Sequence, residues 1–241
     1  MSKFTQDELD KIATTLHTPQ EILEWTSENL HPKVTKASSF GAEDAVLIDM
    51  MIKINPEFRF FTLDTGRLHQ ETYDMMSLVQ KKYNLKLEVL FPDATDVEDM
   101  VNKYGLNLFY DNVDNRVLCC QVRKVYPLNR ILPTLDGWIT GLRNDQTDNR
   151  SSTRILEIDS QHNDIIKINP LLHWTWDDVW KYIKDNDVPY NKLLDMGYSS
   201  IGCEPCTRPI KKGENNRAGR WWWEQDSNKE CGLHMQHSGG K

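Results

Sequence analysis

Residues 33–54 have the sequence KVTKASSFGAEDAVLIDMMIKI, which predicts a strand, then a loop of small residues, then a helix. The strand covers residues 33–37, the loop residues 38–41 and the helix residues 43–54. Such a loop presents backbone N–H groups and hydroxyls at a helix N-terminus, where the helix dipole favours a phosphate. The pattern indicates a candidate phosphate site, and an ordinary strand-to-helix turn is the alternative interpretation.

Two more strand–helix units follow this one. The predicted strands cover residues 58–63 and 85–90, and the predicted helices cover residues 69–83 and 96–104. Repeated units of this kind predict an α/β fold, with a parallel sheet and helices on both faces. Ligands of such sheets bind beyond the carboxyl ends of the strands, where Ser39 and Asp64 fall. Asp64 is also an ordinary turn residue, so turn formation is the alternative role for it.

The remaining elements are predicted from local patterns. Two short helices are expected within residues 5–30, with Thr18 as the N-cap of the second. Residues 154–158 and 165–168 are expected to form an antiparallel pair of strands. A helix over residues 175–185 is amphipathic, and its tryptophans are expected in the core.

Charge and composition limit the classes of function. The 241 residues contain 29 Lys and Arg against 36 Asp and Glu, which gives a net charge of −7. This balance disfavours nonspecific binding to nucleic acid or to a membrane surface, although a local basic pocket can still hold an anion. The sequence contains no apolar run long enough to span a bilayer and no signal-peptide pattern at its start. A cytoplasmic location is expected.

Four of the five cysteines form two groups, the adjacent pair Cys119 and Cys120 and the pair Cys203 and Cys206 in a C-x-x-C pattern. Together they can supply four thiolates to one metal centre if the fold brings them together. Two adjacent ligands are awkward around a single small ion, so the pattern favours a [4Fe-4S] cluster over zinc. Zinc and a role as buried small apolar residues are the alternatives.

Two other groups of residues carry candidate chemistry. Arg123 and Lys124 follow the cysteine doublet and can offset a cluster's negative charge or bind a substrate anion, and a solvated helix face is the alternative. Cys231 precedes a glycine near the end of the chain, with Lys229 and His234 close by. A thiol in such a position is suited to act as a nucleophile, and a chance cysteine in a dispensable tail is the alternative.

As a set, these features resemble the assimilatory sulfonucleotide reductases, in the iron–sulfur branch of adenylyl-sulfate (APS) reductases. The resemblance covers residues 33–234 and rests on the doublet, the C-x-x-C pair and a terminal Lys-x-Cys-Gly-Leu-His. Residues 39–44 resemble the phosphate loop Ser-Gly-Gly-x-Asp-Ser of the ATP-pyrophosphatase superfamily, with Phe40 and Asp44 as departures. A carboxylate at position 44 is a poor fit for a triphosphate.

The resemblance implies an adenine nucleotide alpha-hydrolase-like fold, a sulfonucleotide-binding domain over residues 1–208 and a mobile catalytic tail over residues 209–241. It implies reduction of APS to sulfite and AMP by thioredoxin, through an S-sulfocysteine on Cys231. The implied cluster ligands are Cys119, Cys120, Cys203 and Cys206. The implied phosphosulfate clamp is Lys124, Arg217 and Arg220, with Arg143, Arg150 and His234 as further candidates. The residues implied to line the nucleotide site are Ser39, Gly41, Leu63 and Gly141.

Several alternatives stay open at this point. The nearest is reduction of 3′-phosphoadenylyl sulfate (PAPS), alone or together with APS. More distant ones are a metal-bearing ATP pyrophosphatase that thiolates tRNA and a non-enzymatic iron–sulfur redox sensor. The sequence leaves open a homo-oligomer, and it does not choose between thioredoxin and glutaredoxin as the reductant.

Overall fold

The structure is a computed structural model that describes residues 3–146 and 153–224. Within these ranges, six strands form one sheet in the order β3-β2-β1-β4-β6-β5. The strands are β1 Val34–Ser38, β2 Arg59–Leu63, β3 Leu87–Leu90, β4 Gly137–Ile139, β5 Leu156–Asp159 and β6 Ile165–Ile168. All neighbouring pairs are parallel except β5 with β6. The predicted parallel sheet and the antiparallel pair are both confirmed.

The helices in the described ranges are α1 Gln6–Ala13, α2 Pro19–Leu30, α3 Ala42–Ile54, α4 Gln70–Tyr83, α5 Ala94–Tyr104, α6 Val113–Cys120, α7 Tyr126–Ile131 and α8 Trp176–Asp185. A π-helical segment, Gln121–Val125, joins α6 to α7. None of the helices in the described part of the chain has the length and apolar character needed to cross a bilayer. The sequence patterns predicted α1 to α5 and α8 to within a few residues, but they did not predict the region from α6 to α7.

Local capping explains where several helices begin. Thr18 accepts a hydrogen bond from the backbone N–H of Glu21, whose side chain accepts from the backbone of Thr18 in return. Thr5 and Thr175 form the same reciprocal arrangement at α1 and α8. A cap of this kind satisfies N–H groups that have no partner within the helix. The predicted N-cap role of Thr18 is confirmed.

Side chains that alternate along β2 pack against helices on both faces of the sheet. Phe60 packs in a large apolar cluster with residues of α2, α3 and α8. The next residue, Phe61, points to the opposite face, where it packs with Leu128 and Ile131 of α7. Successive strand residues face opposite sides, so one strand contributes to two cores. The central strands are thereby buried on both faces, and their carboxyl ends remain as the place for a ligand.

The tryptophans of α8 are less buried than predicted. Val179 and Ile183 are fully buried, whereas Trp176 and Trp180 are half-buried and pack at the margin of the large cluster. Trp176 also lines the cavity at the carboxyl ends of the strands. The core prediction is therefore only partly correct, because an indole is wide enough to reach both the core and the cavity wall.

Candidate active site

A cavity of about 610 Å³ opens beyond the carboxyl ends of β1, β2 and β4. This is the position at which ligands of such sheets bind. Its walls come from the loops after these strands and from the later segments 197–202 and 210–220. Eight of the predicted substrate residues line it, namely Ser39, Gly41, Leu63, Lys124, Gly141, Arg143, Arg217 and Arg220. The fold thus brings together residues that are up to 181 positions apart in the sequence.

The loop after β1 is shaped by one buried carboxylate. Asp44, in the first turn of α3, accepts hydrogen bonds at Oδ2 from the backbone N–H of Ser39 at 2.5 Å and from its hydroxyl at 2.8 Å. Its Oδ1 lies 2.5 Å from Nζ of Lys36 on β1. Lys36 is fully buried. Sequence reasoning missed this lysine, although a lysine in the middle of a strand with apolar neighbours was a signal.

Arg143, a predicted clamp residue, already has carboxylate partners in this structure. Its Nε donates to Glu43 at 2.9 Å, and its Nη1 donates to Asp145. The guanidinium carbon lies 5.4 Å from the centre of the Trp176 ring. Arg143 is buried and joins the loop after β4 to the start of α3. These contacts hold the cavity wall in place, and a role toward substrate stays a prediction for Arg143.

The loop after β2 uses Asp64 for turn formation. Its Oδ1 accepts from the backbone N–H of Gly66 at 2.8 Å and from the hydroxyl of Tyr73 at 2.9 Å. Burial and the hydrogen bond to Asp64 raise the pKa of Tyr73 to about 12. The carboxylate is thus engaged by its own loop and by Tyr73 of α4, and turn formation is the alternative role that the sequence left open. Leu63, one residue earlier, lines the cavity.

The four cysteines of the two pairs line a second, small cavity of about 20 Å³ beside the first. Cys119 and Cys120 end α6. The segment with Cys203 docks on the loop after β2, where the backbone N–H of Glu204 donates to the carbonyl of Arg67 at 2.8 Å. Tyr110 holds the same segment through a 2.9 Å hydrogen bond to the carbonyl of Pro205. The fold therefore brings both cysteine pairs to one place.

The surroundings of the thiols are basic as well as apolar. Arg67, Arg116, Arg123 and Lys124 line the small cavity. Burial raises the pKa of Cys206 to about 12 and also raises the pKa of Cys119, which a hydrogen bond from Arg123 opposes. The thiols of Cys119 and Cys206 would thus stay protonated at neutral pH in the absence of a metal. A cationic metal centre would offset that cost, because it favours thiolate ligands.

The donor set fits an iron–sulfur cluster in its chemistry. Four thiols at one cavity supply soft ligands, and nearby guanidinium and ammonium groups suit a centre that carries net negative charge. The hydroxyl of Thr65 lies 3.3 Å from the sulfur of Cys203 and can hydrogen-bond to it. Within residues 3–146 and 153–224, no group of three or more cysteine, histidine or acidic side chains is positioned to hold a metal ion.

The π-helical segment places two cations at the small cavity, and one of them also lines the large cavity. Arg123 donates from Nη1 to the carbonyl of Thr65 at 2.7 Å and lines the small cavity. Lys124 lines both cavities. An extra residue in a helical turn redirects the side chains that follow, and such turns are frequent at functional sites. The sequence indicated the two cations as candidates, but nothing in it predicted the π-helical geometry of the segment.

Arg220 enters the large cavity through a gap left by a glycine. A Cβ built at Gly202 would lie 1.6 Å from Nη1 of Arg220, so only glycine leaves room there. Nη1 of Arg220 donates to Thr207 at 3.2 Å, and its buried Nε has no hydrogen-bond partner among the described residues. Sequence reasoning missed Gly202, whose position directly before the C-x-x-C pair was the available signal.

The segment after the C-x-x-C pair is tied to α6. Arg116 and Glu224 form a bidentate ion pair, in which Nε donates to Oε1 at 2.8 Å and Nη2 donates to Oε2 at 3.1 Å. Both side chains are only 5% exposed. The guanidinium carbons of Arg116 and Arg220 lie 4.5 and 4.7 Å from the centre of the Trp221 ring. Breaking a buried pair of this kind typically costs about 3–5 kcal/mol. These contacts fix residues 217–224 beside the cysteines.

Three predicted residues lie outside the described ranges. They are Arg150, Cys231 and His234. Their roles stay predictions, as do the boundary between residues 208 and 209 and the predicted mobile tail.

The chain is similar to known proteins in both sequence and fold. Residues 33–209 match the family described as the phosphoadenosine phosphosulfate reductase domain. The chain is 47% identical over 205 residues to an adenosine 5′-phosphosulfate reductase of Burkholderia cepacia, which spans 85% of this chain and 82% of that protein. It is 44% identical over 221 residues to one of Pseudomonas aeruginosa, which spans 90% and 82%. The crystal structure of a PAPS reductase from Candida auris in complex with phosphate superposes with a TM-score of 0.75 at 31% identity, over 86% of this chain and 100% of that chain.

Proposed function

Since the chain belongs to the phosphoadenosine phosphosulfate reductase domain family, we propose that it reduces APS to sulfite and AMP in sulfate assimilation and cysteine biosynthesis. The observation that carries the proposal is that Lys124 lines both cavities. A cavity with three candidate cations, large enough for a nucleotide, thus adjoins a four-cysteine site. The names of the relatives that are 43–47% identical support APS as the substrate.

The cations of the cavity would bind the phosphosulfate. Lys124, Arg217 and Arg220 line one cavity, and guanidinium groups match the geometry of phosphate and sulfate oxygens. The nucleotide would lie against Ser39, Gly41, Leu63 and Gly141. Arg143, Arg150 and His234 are further candidates, and Arg143 would act mainly through the loop that it joins to Glu43.

The first chemical step is attack on the sulfate group. The Cys231 thiolate forms a bond to the sulfate sulfur, and the bond from that sulfur to the bridging phosphate oxygen breaks. AMP leaves with the electron pair, and Cys231 becomes an S-sulfocysteine. The thiolate is required because a thiol with its usual pKa of about 8.5 is a weak nucleophile. Lys124, Arg217 and Arg220 stabilise the charge that develops on the leaving phosphate oxygen.

The second step reduces the intermediate. A thiolate of reduced thioredoxin attacks the sulfur of Cys231, sulfite leaves, and a mixed disulfide forms. The second cysteine of thioredoxin then displaces Cys231, so its dithiol supplies both electrons. Glutaredoxin offers the same chemistry and is the alternative reductant.

Cys119, Cys120, Cys203 and Cys206 would hold a [4Fe-4S] cluster. These four residues would thereby link α6 to the segment of Cys203, and a bound cluster would supply a fixed charge at the cavity that Lys124 also lines. Arg123 would offset part of that charge. Its guanidinium is held in place by the 2.7 Å hydrogen bond to the carbonyl of Thr65.

Metal analysis of anaerobically purified protein tests the proposed cofactor. We expect about four iron atoms and about four acid-labile sulfides per chain. Cys203→Ser should lose most of both, since it removes one of the four thiolates that line the cavity. About one zinc per chain without sulfide would instead establish the structural zinc alternative. If the purified protein contains no metal, the cysteines act as buried apolar residues.

Transfer of labelled sulfur tests the proposed reaction. Without reductant, wild-type protein incubated with sulfur-labelled APS should carry label on a non-reducing gel, and thioredoxin should release it as sulfite. Parallel incubation with labelled PAPS tests the second candidate substrate, which the likeness to the Candida auris PAPS reductase favours. No label from either nucleotide would contradict the reductase. ATP-dependent pyrophosphate release would then indicate an ATP pyrophosphatase that thiolates tRNA. Absence of turnover with any of these nucleotides would indicate a redox sensor.

The proposal includes the setting of the enzyme. Residues 1–208 would hold the cluster and most of the sulfonucleotide site, and residues 209–241 would supply Arg217, Arg220 and the nucleophile Cys231. We place the enzyme in the cytoplasm, without a nucleic-acid or membrane partner, because its net charge of −7 disfavours binding to polyanionic surfaces. Homo-oligomer formation is left open by the sequence.

A further inference from the structure

The loop after β1 contains an internal anion. The backbone N–H and the hydroxyl of Ser39 both point at Oδ2 of Asp44, at 2.5 and 2.8 Å. In loops that precede a helix, groups of this kind bind phosphate oxygens of a ligand. Here they are already used within the chain, because the Asp44 carboxylate stands where a phosphate oxygen would be bound.

The carboxylate is held on its other sides as well. Its Oδ1 lies 2.5 Å from the ammonium group of Lys36, which also donates to the carbonyl of Ala37. Both members of the pair are buried, with Asp44 at 6% and Lys36 at 0% exposure. A Cβ built at Gly141 would lie 2.9 Å from Oδ1, so the loop after β4 closes against the same oxygen. The carboxylate cannot leave its place without unpairing a buried lysine.

We infer that Asp44 is a specificity-determining residue that keeps nucleoside triphosphates and pyrophosphate out of the large cavity. A polyphosphate tail that reaches this loop finds its donors occupied and meets a carboxylate. A ligand with a short tail directs its anionic groups to Lys124, Arg217 and Arg220 on the other walls of the cavity. The inference rests on the proposed function, in that it explains how an adenine nucleotide site would favour a phosphosulfate over ATP.

Direct binding measurements on the anaerobically purified full chain test this inference. Replacing Asp44 by serine removes the carboxylate, frees the Ser39 donors that line the cavity, and leaves the positive charge of Lys36 unpaired behind them. We expect Asp44→Ser to bind ATP and pyrophosphate at least about tenfold more tightly than wild type, the gain typical of charge-assisted hydrogen bonds. AMP affinity should change by less than about threefold, because AMP lacks the β- and γ-phosphates that would meet the Asp44 carboxylate. Unchanged ATP affinity in a variant that still binds AMP would overturn the inference.

Further variants separate the causes. Lys36→Met combined with Asp44→Ser should lose most of the gain, because the loop then lacks its cation. Glu214→Gln removes a carboxylate from the wall of the same cavity but outside the loop, and should leave ATP affinity unchanged. If Glu214→Gln raises ATP affinity as much as Asp44→Ser does, the inference is overturned, because any carboxylate in the cavity would then repel ATP equally.

Two remaining outcomes are also decisive. If Asp44→Ser does not fold, Asp44→Asn replaces it in the test, since it keeps the shape and removes the charge. It should still bind ATP about threefold or more tightly than wild type, and no gain would overturn the inference. If wild-type protein binds neither AMP nor ATP, the inference and the proposed function both fail. Failure of the ATP gain alone leaves the proposed function standing.

Discussion

Cys231→Ser abolishes turnover of APS while leaving the iron and sulfide content unchanged; this is the largest effect we expect. The reason is that serine cannot supply a thiolate, and a hydroxyl is a far weaker nucleophile at neutral pH. The four thiols that line the small cavity already make up the ligand set of a [4Fe-4S] cluster, so the cluster should not depend on Cys231. Sulfite release with thioredoxin, measured on anaerobic protein, gives the turnover.

The label-transfer gel separates loss of chemistry from loss of binding. Cys231→Ser should bind AMP as wild type does but should take up no labelled sulfur from APS. A cysteine introduced at another position, such as Ser2→Cys in the Cys231→Ser background, supplies a thiol elsewhere in the chain. It should not restore label uptake. Loss of the cluster in Cys231→Ser alone would count heavily against the separate roles proposed for the two kinds of cysteine.

Arg220→Ala should lower kcat/KM for APS by about two orders of magnitude or more, because loss of one preorganised donor typically costs about 2.7–4 kcal/mol. Arg220 lines the cavity and is only 6% exposed, so water cannot readily replace its charge. Its buried Nε has no hydrogen-bond partner among the described residues, so the contacts of the chain itself do not use all the donors of this guanidinium. Steady-state kinetics with saturating thioredoxin measures the effect.

Two variants control for the structural contacts of Arg220. Arg220→Lys keeps the charge but not the planar group, and should recover only part of the activity. Arg59→Ala removes an arginine that pairs with Glu88 on the sheet, away from the cavity, and should leave kcat/KM within about twofold of wild type. Arg220→Ala with near-normal kcat/KM would remove Arg220 from the site.

The sequence predicted most of the fold because the signals for it are local. Alternating strand and helix patterns specified the parallel sheet, and Thr18 specified the start of α2 through a hydrogen bond to a residue only three positions away. The α6 to α7 region was missed because a π-helical turn has no comparable pattern. Asp64 was ambiguous because turn residues and ligand-binding residues at strand ends are of the same types.

The kinds of residue at the candidate site were predictable from the sequence, but their partners were not. Four cysteines in two pairs and a set of late arginines indicated the chemistry, since ligand and charge types follow from residue identity. Only the tertiary structure decided that Lys36 pairs with Asp44, that Gly202 makes room for Arg220 and that Arg116 meets Glu224, 108 positions away. Side-chain contacts of that kind depend on how elements pack across the sheet, whereas periodicity and caps report only on neighbours along the chain.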